Sequence, residues 1–271
     1  MAEVVCSHVE LDVLGEALRL DVRRFPFTIG YHGSSRAERV RLVERVRHDL
    51  ADRGLVRGDD LVPGFAEALR VFARGAVSIA LVGTAGHARP VGLAVVDDRA
   101  GVVVVQQEEA VTFRSDRPEA VVRALVGLLP AMRPGPGTSV SVTGAPAATG
   151  RRRAEEDFSE FTFTGQVRAA AARSSAAQRA AAEEVMRRPR LGAGYFTVAG
   201  RGRGGREVEL GTVGYLDTDA GRYAVLSETG ADGSPTVTYT PADQAALDRH
   251  LDRVLAGAGE AGGGITRSWR D

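Results

Sequence analysis

One long pattern occurs twice in this chain, and it limits the possible folds more than any single motif does. The first copy spans residues 77–129 and the second residues 195–255. Each reads as strand, turn, strand, tight turn, strand, turn, strand and helix. Aligned on the tight turn, Gly92–Gly101 falls on Thr212–Gly221, so that Asp97 and Gly101 match Asp217 and Gly221. Val111-Thr-Phe113 then lies over Val237-Thr-Tyr239, and Leu125 and Leu129 of the trailing helix over Leu251 and Leu255. Asp followed by a short polar run and Gly supplies the positive φ that a hairpin loop needs. A repeat of this length predicts a single α+β domain of pseudo-two-fold symmetry, with a largely antiparallel sheet and helices against it.

The flanking segments fill in the helices. Apolar residues at Val9, Leu11, Val13, Leu14 and Leu18 open the chain with a helical pattern. Phe25-Pro-Phe-Thr-Ile-Gly30 reads as a short strand, placed near an edge because Pro26 lacks an amide donor. Ser35 caps a helix carrying Val40, Val43, Val46 and Leu50 on one stripe, which Gly54 stops. Pro63–Arg74 is a further helix with Phe65, Leu69, Val71 and Phe72 as its apolar set. Residues 131–153, rich in Pro, Gly, Ser and Thr, read as the connector between halves, with Ser139–Val142 alternating like a short strand. The charge run 151–157 compensates itself, and an Ala-rich helix is expected over 166–187. In the second copy Phe196, Val198, Val208, Leu210, Tyr223, Val225, Val237 and Tyr239 are expected on one buried face, with Val213, Tyr215 and Leu226 opposite. The folded unit is expected over 1–256, followed by a mobile Gly-rich tail at 257–271.

Composition excludes several function classes. Formal net charge is zero across 271 residues, so no broad basic field draws nucleic acid or an anionic membrane. The single cysteine, Cys6, rules out an intramolecular disulfide and fits a reducing compartment. The N-terminal stretch lacks a basic n-region and an apolar core, and no apolar run is long enough to span a bilayer. A cytoplasmic protein is expected.

The candidate chemical motifs are weak. Gly200-Arg-Gly-Arg-Gly-Gly205 matches a dinucleotide fingerprint in spacing, but the alternating Arg206-Glu-Val-Glu-Leu210 follows it where a helix is required. His87 sits in the hairpin loop Gly83–Pro90, with Ser78 upstream and Asp97 beyond, yet no nucleophile elbow exists in the chain. The five histidines show no metal-ligand spacing. Neither a catalytic constellation nor a cofactor site is expected.

Taken together, a set of ordered segments resembles the EspG family of type VII (ESX) secretion-associated proteins of actinobacteria. They are Val9-Glu-Leu-Asp-Val-Leu14, Phe25-Pro-Phe27, Val111-Thr-Phe113 and Arg188-Pro-Arg-Leu-Gly-Ala-Gly-Tyr-Phe196. Gly214-Tyr-Leu-Asp-Thr-Asp-Ala-Gly-Arg-Tyr223, Thr238-Tyr-Thr-Pro-Ala242 and Thr266-Arg-Ser-Trp269 complete it. The resemblance implies a non-enzymatic cytosolic chaperone that covers the tip of a helical hairpin in a PE–PPE-type secretion substrate. An apolar hairpin tip self-associates in water, and a preformed groove that covers it prevents this. The partner surface is expected at Tyr215, Leu226, Arg249 and Leu251, with His87 and the Gly83–Pro90 loop as a mobile rim. The rival reading is a small-molecule enzyme or binding domain with a polar pocket between the halves.

Overall fold

The computed structural model describes residues 3–144, 174–202, 205–230 and 232–261. The 151–157 charge run, the first part of the Ala-rich segment and the tail beyond Ala261 lie outside the described residues. In chain order the first half contains β1 (Val4–Ser7), α1 (His8–Leu18), α2 (Arg36–Asp52), the small β2–β3 pair (Val56–Arg57, Asp60–Leu61) and α3 (Pro63–Arg74). It continues with β4 (Val77–Ala85), β5 (Val91–Val96), β6 (Gly101–Gln107), β7 (Ala110–Asp116), a 3-10 turn (Pro118–Ala120) and α4 (Val121–Val126). The second half has β8 (Val140–Thr143), α5 (Ala176–Arg187), β9 (Arg190–Arg201), β10 (Glu207–Thr218), β11 (Gly221–Thr229), β12 (Pro235–Pro241) and α6 (Gln244–Ala261).

Ten strands form one antiparallel sheet in the order β1-β7-β6-β5-β4-β9-β10-β11-β12-β8. That order reads the same from either edge, with the β4–β9 pair as the seam. The duplication therefore reaches further upstream than its sequence signal. β8, inside the stretch expected to be a connector, is the edge strand of the second half as β1 is of the first. α3 precedes one four-stranded run and α5 the other, and α4 and α6 follow them.

The helices cover both faces. On one, Leu125 and Val126 of α4 and Leu247 and Leu251 of α6 pack over Ile79, Leu81, Ala94, Val103, Phe196, Val198, Val213 and Tyr215. On the other, α1 and α3 cover Leu93, Val95, Val102, Val104 and Phe113, where Phe72 and Phe113 meet edge to face with centroids 5.4 Å apart. α5 covers Leu216, Tyr223, Val225, Val237 and Tyr239 on that same side of the second half. Burying Val102–Val104 from both sides is what their unbroken apolar run anticipates.

Several expectations need correction. The residues expected on one face in the second copy divide between two. Val213 pairs with Phe196 on one side and Leu226 on the other, so those three share a face, whereas Leu216 pairs with Tyr223. Irregular register between Glu209 and Gly211 adds a residue to β10 and shifts its parity. Counting outward from the seam, Val91 pairs with Val82 and Thr212 with Thr197, so β5 matches β10 one residue away from the sequence alignment. A one-residue slip exchanges the two faces of a strand. Asp97 and Asp217 are consequently not equivalent: Asp97 accepts the Arg99 and Ala100 amides in a turn, while Asp217 is buried in β10.

Phe25–Gly30 is not a strand. Phe25–Pro26 is a cis peptide, the Phe27 amide closes a turn on the Arg24 carbonyl, and Phe27 and Ile29 drop into the core. Ser35 caps α2 as expected, but Val40 and Val43 face solvent because α2 packs on α1 and β2 through Val46 and Leu50. The last helix runs past Gly257, the expected start of the tail, to Ala261.

Candidate functional site

The pseudo-symmetry gives the sheet two equivalent ends, and the sequence treats them differently. At each end, the tip of one half's first hairpin leans on the start of the other half's first strand. The Gly86 amide donates to the Leu191 carbonyl at one end (2.7 Å), and the Arg201 amide donates to the Ala76 carbonyl at the other (2.7 Å).

The β9–β10 end is closed by a charge clamp. Arg24, almost fully buried, donates to the Phe72 carbonyl at the C-terminus of α3 and to the Glu207 carboxylate. Arg201 donates to the next carbonyl, Ala73, at 2.9 Å and lies 3.5 Å from Glu207. Two cations at the negative end of a helix, bridged by a carboxylate, satisfy carbonyls that the helix leaves unpaired. Burial lowers the Arg24 pKa and the Glu207 charge offsets this only in part, yet a guanidinium stays protonated at any physiological pH.

The β4–β5 end carries no such clamp among the described residues. Here the Gly83–Pro90 stretch contains a hydrogen-bonded hairpin. β4 runs on to Ala85, which exchanges both backbone hydrogen bonds with Ala88 (2.9 and 3.0 Å) around Gly86-His87. Gly86 has φ +59°, the first central position of a hairpin turn that favours glycine. The Thr84 hydroxyl accepts the Ala193 amide at 3.1 Å and donates to the Ala193 carbonyl at 3.3 Å. Beside it the β9–β10 register skips Leu191, a bulge that leaves this side chain 47% exposed. His87 and Arg89 are exposed on the tip, and Arg190 continues the surface. Inward of them Val82, Ala193 and Tyr195 are half-buried between the α3 layer and α5.

Tyr215 lies under this tip. It is 2% exposed, stacks with Phe196 at 6.1 Å and carries the Arg222 guanidinium 5.6 Å from its ring centroid. Arg222 is held by Asp217 through Nε–Oδ1 (2.6 Å) and Nη2–Oδ2 (2.8 Å), with Nη2 also donating to the Pro130 carbonyl at 3.1 Å. The Tyr215 hydroxyl donates to the Thr84 carbonyl at 3.0 Å. Burial first and the Asp217 charge second push its pKa well above the ordinary tyrosine range, so it remains a donor at any physiological pH.

The structure separates the residues expected to contact a partner. Tyr215 and Leu251 are core and offer a partner no surface. Leu226 is half-buried against the same cluster, Arg249 is exposed on α6, and His87 is exposed at the hairpin tip. Leu191, which sequence reasoning missed, is the exposed apolar side chain of this end. Its flanking Gly192 and Gly194 hinted at a close strand approach, but no pattern marks a bulge in advance. His87, Ser78 and Asp97 form no triad, since Ser78 is buried in β4 and Asp97 pairs with Arg70 at the opposite end of β5. Among the described residues no cluster of His, Cys, Asp or Glu could hold a metal ion, and no helix is long and apolar enough to cross a membrane.

Residues 7–253 match the sequence model of the EspG family. The chain belongs to the EspG family. EspG5 of Mycobacterium tuberculosis, solved as a type VII secretion system chaperone in complex with the PE25–PPE41 dimer, has a similar structure, with a TM-score of 0.62. The likeness covers 94% of this chain and 96% of that one at 14% sequence identity, and at that identity it shows a shared fold. No curated protein matches the sequence significantly. The ten-stranded antiparallel sheet with helices on both faces is thus the fold of this EspG-family chain.

Proposed function

We propose that this chain is a cytosolic chaperone of a type VII secretion system. It binds the tip of a helical-hairpin, PE/PPE-like substrate and keeps it soluble for export. The family match over 7–253 carries this reading, supported by the shared fold of EspG5, whose solved complex contains the PE25–PPE41 dimer. We take the folded unit to span about 1–256, a reading that the family match over 7–253 supports.

The surface we assign to the substrate is the free end of the sheet: the 83–90 hairpin tip with His87, the bulged Leu191, and the half-buried strand face running inward to Tyr195. Leu226 lies on the sheet face covered by α6, and Arg249 is exposed on α6 itself. An apolar anchor ringed by polar groups on a rigid hairpin suits a helix tip, which presents few side chains and must be gripped at once. A substrate interface of ordinary size, about 1,600 Å² in total, exceeds the tip itself and extends over the adjoining strands. The role is non-enzymatic. β4 and β9 pair continuously from Val77–Gly200 to Ala85–Gly192 and Phe196 and Tyr215 fill one side of the seam, which supports this reading over a polar pocket between the halves.

Co-expression with a PE–PPE-type heterodimer tests the reading. The dimer is expected to be insoluble alone and to co-elute with the chaperone when both are present. Leu191→Asp is expected to abolish co-elution while leaving the chaperone folded. A dimer equally soluble without the chaperone would refute the function, and co-elution surviving Leu191→Asp would refute the surface.

A further inference from the structure

Tyr215 cannot touch a substrate, yet its hydroxyl joins the core to the base of the tip assigned to the substrate. Its approach is made possible by two glycines. A Cβ on Gly83 would collide with the Tyr215 hydroxyl and lie 2.7 Å from the Ala193 carbonyl. A Cβ on Gly194 would stand 2.6 Å from the Tyr215 ring and 2.5 Å from the Val82 carbonyl. Any other residue at either position closes the window through which the hydroxyl reaches Thr84.

The bond has no counterpart in the other half. Val91 and Thr212 occupy matching places beside the seam, and the same count sets Ala94 of β5 opposite Tyr215 of β10. Ala94 has no group to send toward the clamped end, where Arg24 and Arg201 hold the hairpin through charge. At the free end the sequence uses a tyrosine from below, which leaves the outer surface of the tip clear. The Asp217–Arg222 pair, packed against the ring, fixes the phenol in place.

We infer that Tyr215 is a positioning residue for substrate binding: its hydroxyl holds the Thr84 carbonyl and so sets the pose of the 83–90 tip that meets the substrate. This rests on the proposed function, and it assigns a role to a residue that makes no contact with the partner. The Thr84 hydroxyl, clasping Ala193 from the other side of the strand, is the second half of the same fixture.

Tyr215→Phe removes one oxygen and keeps the ring, so the core should survive. Hydrogen exchange followed by mass spectrometry on the full chain, without partner, is expected to show about tenfold faster exchange in peptides covering 83–90 and 190–193, with β6 and β11 unchanged. Tyr239→Phe, equally buried, serves as the control and should leave the tip unaltered. With the co-expressed heterodimer of the preceding test as probe, Tyr215→Phe should raise the dissociation rate by about tenfold with little change in association. Thr84→Ala, at an exposed position that cannot threaten the core, should loosen the same peptides and speed release likewise. Unchanged tip exchange in Tyr215→Phe overturns the role alone. A loosened tip with unchanged dissociation also overturns it. A wild-type chain that binds no such heterodimer overturns the function and the role with it.

Discussion

The buried Asp217–Arg222 pair gives the sharpest energetic test of the fold. Arg222 is 0% and Asp217 1% exposed, and they face each other as cross-strand partners on β10 and β11. Two bonds at 2.6 and 2.8 Å make the contact bidentate, and the Pro130 carbonyl takes a third donor. Arg222 Nη1 has no partner among the described residues. A charge this deep is tolerated only while its counter-charge is present, so Asp217→Asn should cost about 3–5 kcal/mol. For a chain of this length each kcal/mol moves Tm by roughly 2 °C, so the melt should fall by about 6–10 °C. Arg222→Met alone should cost a similar amount by stranding Asp217. Asp217→Leu with Arg222→Met replaces both charges by apolar groups and should recover most of the loss, because the desolvation of two ions disappears with their attraction. Urea unfolding of the wild type, Asp217→Leu, Arg222→Met and the double variant closes the cycle and gives the coupling energy directly, with Asp217→Asn measured alongside. If Asp217→Asn costs under about 1 kcal/mol, or the double variant is as unstable as the sum of the singles, the pair is not the closed electrostatic unit described.

Three further outcomes follow from the same structure. Leu251→Ala, at 0% exposure between α6 and the sheet, should lose about 2–5 kcal/mol, whereas Arg249→Glu on the same helix should stay within about 0.5 kcal/mol, both read by chemical denaturation. Burial lowers the pKa of His8 and of His250, so the unfolded chain binds protons that the folded chain refuses. Stability is then full above about pH 6.5 and falls as pH drops toward and through the lowered values, and melts at pH 7.5 and 5.5 should differ in that direction. Asp248 is the opposite case. Burial raises its pKa, with Arg123 4.0 Å away, so its charge costs stability once pH rises through that value, and Asp248→Asn should stabilise the fold slightly at pH 7, by under about 1 kcal/mol.

What the sequence made legible was the periodic part. α3 begins and ends where Pro63 and Arg74 predict, and Ser35 caps α2. The β7–β12 and α4–α6 matches place Phe113 and Tyr239 on one face and Leu125 and Leu251 on the other. The middle of the repeat was misread because Asp-x-x-Ala-Gly turns look alike while their register differs: β10 pairs to Thr218–Gly221, β5 only to Val96–Gly101. β1 and β8 have four residues each, too few for periodicity to single out as counterparts. The site was harder still. Tyr215 was visible as an amphipathic aromatic on the right strand, but whether its hydroxyl reaches solvent or a carbonyl depends on Gly83 and Gly194, which lie on other strands. Leu191 is exposed only because a bulge turns it, and bulges are settled by pairing.

A symmetric sheet alone would offer two identical ends and hence two weak sites. What sets the proposed binding end apart is the unequal length of the strands at the seam. β4 has nine residues and β9 twelve, so β9 runs past β4 by Arg190 and Leu191, and the Leu191 carbonyl supports the first half's hairpin through the Gly86 amide. At the opposite end β9 overhangs by Arg201 alone, and there Glu207 takes the chain's own Arg24, which ties the N-terminal segment and α3 to it. One end is thereby used for folding, and the other is the one proposed for binding. The division predicts separable effects. Glu207→Gln should uncover Arg24 and lower stability by about 1–3 kcal/mol, with substrate affinity intact in whatever fraction remains folded. Leu191→Asp should do the reverse. Measuring both quantities on both variants is decisive, because a single cooperative site spread over the whole sheet would move them together.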